Sequence, residues 1–208
     1  MMRTTVAVSG FSSDAGKTSL MCELLRAFPG WEAIKMTRGH YRSCGKDPRA
    51  CCVGHLLSDE PVVRSGRAQT YAAGKDTGRY WDAGASNVHW AIVTDEQVER
   101  GVMLALERVR APGVLIEGNS FLDFVDVDFA VMVARASGGK VKASARRALR
   151  KSSALYLFDV GDAASGAREA RGSWRDEPFY RELVGGLPVY DGGTLPRLIE
   201  TLKEAVRC

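Results

Sequence analysis

Long apolar runs are absent from this sequence of 208 residues. No stretch reaches the roughly 18 consecutive apolar residues that a membrane-spanning helix needs, so we expect no membrane association. The N-terminal stretch "MMRTTVAVSG" lacks the apolar core and the small-residue cleavage site of a signal peptide. These absences predict a cytoplasmic protein.

A disulfide framework is also excluded. The sequence contains five cysteines, an odd number, and three of them crowd into residues 44–52. Thiols of a cytoplasmic protein stay reduced, so these side chains are available as ligands or as small apolar packing groups.

A large excess of one charge is missing too, because the formal net charge is only +4. The basic residues are dispersed along the chain apart from one cluster, Arg146, Arg147, Arg150 and Lys151. A mild positive excess of this kind suits small anionic ligands, and we expect no nucleic-acid partner.

Apolar runs of strand length alternate with helical patterns along the chain. Seven runs are predicted to be strands: "TTVAVSG", "EAIKM", "NVHWAIV", "GVLIEG", "VDFAVMVA", "ALYLFDV" and "LPVYD". Such strands, separated by helices, are typical of a mostly parallel sheet covered on both faces. We therefore predict an α/β fold, with one doubly wound sheet of about seven strands in a single domain over residues 1–208. The polar segment Thr37–Ser86 shows no clear strand, and loops of that length are usually functional.

Helical periodicity predicts the elements between these strands. The clearest patterns are "GKTSLMCELLRAF", "DEQVERGVMLALERVRA", "SARRALRK", "EPFYRELVG" and "LPRLIETLKEAVR". Asp95 is the expected N-cap of the second pattern, and Pro196 is expected in the first turn of the last one.

The stretch "VAVSGFSSDAGKTSL", Val6–Leu20, combines a buried strand, a loop and the start of an amphipathic helix. This order is typical of a phosphate-binding loop, although five residues instead of four separate its first glycine from Gly-Lys-Thr. Backbone N–H groups of the loop and the positive end of the helix dipole attract phosphate oxygens. The lysine reaches the terminal phosphates and the threonine hydroxyl binds Mg²⁺. The predicted nucleotide-binding residues are Gly10, Ser13, Asp14, Ala15, Gly16, Lys17, Thr18 and Ser19.

Two further polar residues are predicted at the ends of strands. Glu117 ends "GVLIEG", and Lys35 lies near the end of "EAIKM". Ligands of open α/β sheets bind at the carboxyl ends of the strands, the edge that carries the phosphate-binding loop. We therefore predict that Glu117 and Thr18 hold Mg²⁺. Lys17, Lys35 and Glu117 are the predicted catalytic residues of phosphoryl transfer.

The spacing of the loop resembles that of dethiobiotin synthetase and its relatives, in which five residues also precede GK[ST]. Those proteins have a glutamate–glycine pair comparable to Glu117-Gly118. The resemblance implies a P-loop NTPase fold and a purine nucleoside triphosphate, ATP or GTP, bound with Mg²⁺. It also leaves open a second function, that of an ATP-dependent ligase acting on a small carboxylate or carbamate.

A second stretch, "GKDTGRYWDAGA" at Gly74–Ala85, resembles G-K-D-[ST]-x-R-x-x-x-A-G-A of the molybdopterin-guanine dinucleotide biosynthesis protein B family. The order of motifs is similar over about the first 135 residues. That family consists of small GTP-binding P-loop proteins, partners of the enzyme that attaches GMP to molybdopterin. The resemblance implies a weak accessory NTPase of molybdenum-cofactor biosynthesis, with a molybdopterin nucleotidyltransferase as partner. Lys75, Asp76 and Arg79 are then expected to contact phosphate or the partner.

The chain departs from that family in several places. The histidine-rich run of the family is here "TRGHYRS", with His40 alone. About 25 additional residues precede the Gly74–Ala85 segment. The sequence has no [NT]-K-x-D motif that would read guanine, since its two asparagines, Asn87 and Asn119, lie in other contexts. The choice between ATP and GTP is therefore open.

The additional residues form a cysteine-rich insertion, predicted at about residues 40–73. It contains His40, Cys44, Cys51, Cys52 and His55. Thiolates and imidazoles are ligands of zinc and of iron–sulfur clusters, so Cys44, Cys51 or Cys52, and His55 are candidate Zn²⁺ ligands. A metal-handling P-loop chaperone is thus a third function that the sequence leaves open. Alternatively, the cysteines are reduced side chains that pack as small apolar groups, or they contact a molybdenum-type or sulfur-bearing ligand. Separately, the sequence leaves open whether the protein forms a homodimer.

Overall fold

The computed structural model describes residues 3–39, 53–136, 141–158 and 184–206. The strands in these ranges are β1 (Thr4–Gly10), β2 (Glu32–Arg38), β3 (Val62–Ser65), β4 (Val88–Val93), β5 (Gly113–Glu117), β6 (Phe129–Arg135), β7 (Ala154–Phe158) and β8 (Val189–Asp191). The α-helices in the same ranges are α1 (Lys17–Ala27), α2 (Arg67–Thr70), α3 (Asp76–Asp82), α4 (Val98–Glu107), α5 (Ala143–Leu149) and α6 (Leu195–Ala205). Short 3₁₀ turns lie at Gly54–Leu56, Ser120–Asp123 and Gly192–Thr194.

The eight strands of the described ranges form one sheet in the order β3-β4-β2-β5-β1-β6-β7-β8. Every neighbouring pair is parallel except β3 and β4. The predicted α/β fold with a mostly parallel sheet is confirmed, and each of the seven predicted strands is present. β1 lies near the middle, between β5 and β6, so its carboxyl end faces the centre of one sheet edge.

Helices cover both faces of the sheet. Successive residues of each central strand point to opposite faces, and because these residues are apolar, both faces have to be covered. Val6 and Val8 of β1 pack with apolar residues of α1, α3 and α6 in one core cluster. Ala7, between them, packs with residues of α4 and α5 in a second cluster. Fully buried strands of this kind explain why the apolar runs in the sequence are nearly continuous.

The segment Thr37–Ser86, in which no clear strand was expected, contains β3. This strand has only four residues, "VVRS", and pairs antiparallel with β4 at the margin of the sheet. Its residues are half-buried, so its sequence carries neither a continuous apolar run nor a long alternation. Of the predicted insertion at 40–73, residues 40–52 lie outside the described ranges, and the remainder contributes a 3₁₀ turn, β3 and α2.

The start of α4 differs from the expectation that Asp95 caps it. The helix begins at Val98 with Gln97 at the N-cap, and the Gln97 side-chain oxygen accepts a hydrogen bond from the Thr94 backbone N–H. Asp95 instead forms an ion pair with Arg38, 3.0 Å apart. The predicted helix "EPFYRELVG" falls largely on residues outside the described ranges. A bilayer could not be crossed by any helix in those ranges, since each is too short or too polar.

Candidate functional site

A cleft of about 620 Å³ opens at the carboxyl edge of the central strands. The loop after β1, the ends of β2 and β5 and the start of α3 line it. Its charged lining consists of five cationic side chains (Lys17, Lys35, Arg38, Arg79 and Lys142) and three anionic ones (Asp14, Asp76 and Glu117). Five less three leaves a formal excess of two positive charges, which suits an anionic ligand.

The loop between β1 and α1 requires a glycine at its last position. Gly16 is the N-cap of α1 and adopts a left-handed conformation with φ of 96°. A Cβ atom at Gly16 would lie 2.3 Å from the ring of Phe158, at the end of β7. The turn therefore brings the first N–H groups of α1 to the cleft, and both the backbone angle and the close aromatic ring exclude a larger residue.

The Lys17 side chain folds back over this loop. Its ammonium group donates hydrogen bonds to the carbonyl oxygens of Ser12 and Ser13, at 2.7 and 3.2 Å. Burial lowers the pKa of Lys17, and the opposing attraction of Glu117 does not compensate fully. A Cβ atom at Gly10 would lie 2.8 Å from the Lys17 side chain, which accounts for the glycine there. Lys17 is thus a partly desolvated cation centred on the loop.

Glu117 joins the end of β5 to the loop between β1 and α1. The Thr18 hydroxyl donates a hydrogen bond of 3.0 Å to its Oε2 atom, and the Lys35 ammonium group pairs with its Oε1 atom. Tyr80 also donates its hydroxyl to Oε2. The Glu117 side chain is only 2% exposed, so these three donors replace water around the carboxylate.

Lys35 bridges two carboxylates, because its ammonium group also lies 2.6 Å from Asp76 at the start of α3. Burial acts to lower the pKa of Lys35, but the charges of Glu117 and Asp76 outweigh it, so the pKa is raised. Burial acts to raise the pKa of Asp76, but the charge of Lys35 outweighs it, so that pKa is lowered. Both groups are therefore charged at neutral pH.

Helix α3 brings two of its three predicted site residues to the cleft. Asp76 pairs with Lys35, and Arg79 donates a hydrogen bond of 3.2 Å to the Ser19 hydroxyl at the start of α1. Lys75, the N-cap residue of α3, is exposed and does not line the cleft. The sequence predicted that all three residues belong to the site. Which of them face the cleft depends on the packing of α3 on α1, which the sequence pattern does not show.

Several residues at the site were not predicted. The Asn119 side chain accepts a hydrogen bond from the Gly10 N–H group and donates one to the Gly10 carbonyl, both at 2.9 Å. Lys142 donates to the Ser13 hydroxyl at 2.7 Å, and the Arg135 side chain donates to the Asp14 carbonyl at 2.8 Å. The one available signal was the position of Asn119, directly after the predicted Glu117-Gly118 pair.

The donor atoms around Thr18 fit Mg²⁺. This ion prefers hard oxygen ligands, few of them from the protein, and keeps several waters. The Thr18 hydroxyl and the Glu117 carboxylate supply such oxygens next to the loop, and Asp76 lies beside them across Lys35. This donor set is poor for Zn²⁺, which prefers nitrogen and sulfur ligands in structural sites.

The predicted Zn²⁺ site is not tested by the structure. Cys44, Cys51 and Cys52 lie outside the described residues, as does His40, and His55 is exposed on a 3₁₀ turn. Within the part of the chain that the structure describes, no group of three or more His, Cys, Asp or Glu side chains could hold a metal ion.

No protein-family model matches the sequence, and no curated protein matches it either. Some solved structures are nevertheless similar to it. The structure of LpxK from Aquifex aeolicus in complex with ATP is similar with a TM-score of 0.50 and 17% identity, over 92% of this chain and 54% of that one. The Zn(II)-bound YjiA GTPase from E. coli gives a TM-score of 0.43 and 13% identity, over 91% and 57%.

The chain has a P-loop NTPase fold. It spans about half the length of the solved structures that it matches. At this level of identity the likeness describes the fold alone, so the chemistry of the site has to be argued from the side chains of this chain.

Proposed function

We propose that the chain binds a purine nucleoside triphosphate with Mg²⁺ in the cleft and hydrolyses it slowly. The observation that carries this proposal is the hydrogen bond from Thr18 to Glu117 beside the Gly10–Thr18 loop. A threonine hydroxyl that donates its proton to a carboxylate keeps its lone pairs for a cation. The LpxK structure holds ATP, so ATP is the first nucleotide to test and GTP the second.

The charge of the cleft supports phosphate binding. Lys17, Arg79 and Lys142 all lie around the loop, and the loop ends at the N-terminus of α1. The bonds from Lys17 to the Ser12 and Ser13 carbonyls hold a cation where the phosphate chain is expected. On binding, phosphate oxygens would replace these carbonyl oxygens as acceptors, so the cation moves little.

Mg²⁺, when bound, neutralises phosphate charge and orients the phosphate oxygens. Thr18 and Glu117 would hold it, and Asp76 lies beside them, because its carboxylate pairs with the same Lys35 ammonium group as Glu117. Lys35 pairs with both carboxylates, so Glu117 and Asp76 do not face each other as two uncompensated negative charges.

Slow hydrolysis follows from the state of Glu117. Its two carboxylate oxygens already accept hydrogen bonds from Thr18, Lys35 and Tyr80. With both oxygens already engaged by these donors, Glu117 is poorly placed to take a proton from an attacking water. Phosphoryl transfer depends mainly on positioning and charge stabilisation, so a partner or second substrate that completes the site would accelerate it.

A finer proposal places this NTPase as an accessory protein of molybdenum-cofactor biosynthesis. Its support is the resemblance of Gly74–Ala85, together with the location of Asp76 and Arg79 from that segment at the cleft. The test is addition of a molybdopterin nucleotidyltransferase to the purified chain. The proposal expects faster nucleotide hydrolysis, and an unchanged rate at saturating partner would contradict it.

Titration calorimetry with ATP and GTP tests the binding proposal. Lys17→Ala removes a charge-assisted contact of about 1.5–3 kcal/mol, so affinity should fall about ten- to hundredfold. Lys203→Ala, an exposed lysine in the last turn of α6, is the matched control for loss of one positive charge. Equal affinities of the two variants would show that the loop does not bind the phosphates.

The role of Glu117 has a separate test. Glu117→Gln keeps the size of the side chain but removes the charge that Thr18 and Lys35 face. We expect Mg²⁺-dependent hydrolysis to fall much more than Mg²⁺-free nucleotide affinity. Hydrolysis at the wild-type rate across a full Mg²⁺ titration would assign Glu117 to another role.

A further inference from the structure

Tyr80 is a buried side chain with a polar contact in the candidate site. It lies in α3, has no solvent exposure and packs in the core cluster that contains α1. Its hydroxyl group donates a hydrogen bond to Oε2 of Glu117. As a phenol, Tyr80 has a single O–H proton, and this contact uses it.

Two donors share the same oxygen of Glu117. Oε2 accepts from Tyr80 and from Thr18, whereas Oε1 faces Lys35. The Tyr80 ring is enclosed in the core cluster, and α3 is also joined to β2 through the Asp76–Lys35 pair. The Tyr80 hydroxyl occupies one side of Oε2 and leaves the other side for Thr18. The Tyr80 contact therefore fixes the rotation of the Glu117 carboxylate.

We infer that Tyr80 is a positioning residue for Mg²⁺: its hydroxyl holds Glu117 in the orientation that accepts the Thr18 proton and turns the Thr18 lone pairs toward the ion. This role rests on the proposed function. Residues that hydrogen-bond to metal-binding groups orient those groups, and their loss typically costs 10- to 100-fold in metal affinity or activity.

The alternative is that Tyr80 only fills the core and that its hydroxyl bonds to the nearest acceptor. The two roles differ in what Tyr80→Phe changes. If Tyr80 only fills the core, Tyr80→Phe changes the stability of the fold alone, since a buried carboxylate loses a donor. If Tyr80 is a positioning residue, Tyr80→Phe also changes the Mg²⁺ gain, defined as nucleotide affinity with Mg²⁺ divided by affinity without it.

Titration calorimetry on the full chain measures the Mg²⁺ gain for ATP and GTP. For Tyr80→Phe we expect the gain to fall about tenfold, with Mg²⁺-free affinity within about twofold of wild type. Tyr156→Phe is the matched control, because Tyr156 is also buried in the same cluster but lies on β7. Its Mg²⁺ gain should equal that of the wild type.

A double-mutant cycle with Glu117→Gln tests whether Tyr80 acts through Glu117. In the Glu117→Gln background, Tyr80→Phe should reduce the Mg²⁺ gain no further. An additional tenfold loss there would overturn the role. The same conclusion follows if Tyr80→Phe lowers the unfolding temperature but keeps the wild-type gain.

A fluorinated tyrosine at position 80 keeps the hydroxyl group and gives a readout that does not depend on the folding of the Tyr80→Phe variant. Its ¹⁹F resonance should shift when Mg²⁺ is added to the nucleotide-bound protein, and an unmoved resonance overturns the role. If the wild-type chain binds neither ATP nor GTP, the proposed function itself is wrong and the role of Tyr80 falls with it. If the wild type shows a Mg²⁺ gain that Tyr80→Phe retains, only the role of Tyr80 is wrong.

Discussion

The side-chain amide of Asn119 exchanges two hydrogen bonds with the backbone of Gly10, each 2.9 Å long. The two residues are 109 positions apart in the sequence. Gly10 ends β1 and starts the loop between β1 and α1, whereas Asn119 follows β5. The amide thus continues the pairing of these strands beyond the last backbone pair and fixes where the loop leaves the sheet.

Asn119→Asp should therefore destabilise the protein. The aspartate cannot donate to the Gly10 carbonyl and would place an oxygen against it, at a cost of about 1–3 kcal/mol in the free energy of unfolding. Asn87→Asp is the control, since Asn87 accepts a hydrogen bond from the Val88 N–H group and an aspartate can do the same. Urea unfolding measures both variants, and equal losses would show that the amide pairing contributes nothing.

Gly16→Ala should be more harmful than the same change at Gly84. Both glycines have φ of 96°, so an alanine carries a similar backbone strain at each, about 1–2 kcal/mol. A Cβ atom at Gly84 has no atom within 4 Å, whereas at Gly16 it meets the Phe158 ring. Overpacking adds about 1–3 kcal/mol to the loss of unfolding free energy at Gly16 only. Equal urea midpoints for the two variants would contradict this contact.

Thr18→Val should abolish the Mg²⁺ gain and leave Mg²⁺-free nucleotide affinity nearly intact. Valine has the shape of threonine but lacks the hydroxyl that contacts Glu117. Thr18→Ser retains a hydroxyl and should keep most of the gain, which separates the metal contact from packing. Calorimetry with ATP, with and without Mg²⁺, provides the measurement, and a valine variant with the wild-type gain would remove Thr18 from the metal site.

The ion pair of Lys35 and Asp76 predicts a pH dependence on the acid side. The pKa of Asp76 is lowered in the folded state because the charge of Lys35 outweighs burial. The contribution of ionised Asp76 to the free energy of unfolding is therefore complete above its ordinary pKa of 3.8. That contribution is lost as the pH falls through the folded-state pKa. Asp76 is 43% exposed, so water screens the pair and its contribution is at most about 1 kcal/mol.

The measurement is the difference in free energy of unfolding between the wild type and Asp76→Asn across pH. We expect a constant difference in favour of the wild type near neutral pH and a shrinking difference below the ordinary pKa of aspartate. Asp82→Asn, in the same helix, controls for the loss of one negative charge. A difference for Asp76→Asn that grows toward acid pH would reverse the sign and contradict the ion pair.

Most of the fold could be predicted because its strands are buried on both faces. Residues such as Val6 and Val8 make the strand visible as an apolar run, and the loop before Lys17 follows a local spacing rule. β3 was missed because a short, half-buried marginal strand leaves no such run. The N-cap of α4 was missed because Asp95 has a distant partner, Arg38, that competes for its carboxylate.

The placement of a residue at the candidate site could be predicted where a motif or a strand end marks it, as for Lys17 and Glu117. Tyr80 and Asn119 carry no such mark. Tyr80 lies 37 residues from the carboxylate that it contacts, and Asn119 lies 109 residues from Gly10. Contacts of this range depend on how α3 and β5 pack against β1, which no local pattern in the sequence encodes.

The position of β1 in the sheet determines when the sheet can assemble during synthesis on the ribosome. Its neighbours β5 and β6 begin only at Gly113 and Phe129, so the apolar stretch Thr4–Gly10 leaves the exit tunnel long before either partner is synthesised. At about 5–20 residues per second, the wait lasts several seconds or more. During this time the nascent chain exposes a strand with two unpaired edges, a target for chaperones and for aggregation. Assembly of the cleft therefore comes only after β5, which carries Glu117, has been made.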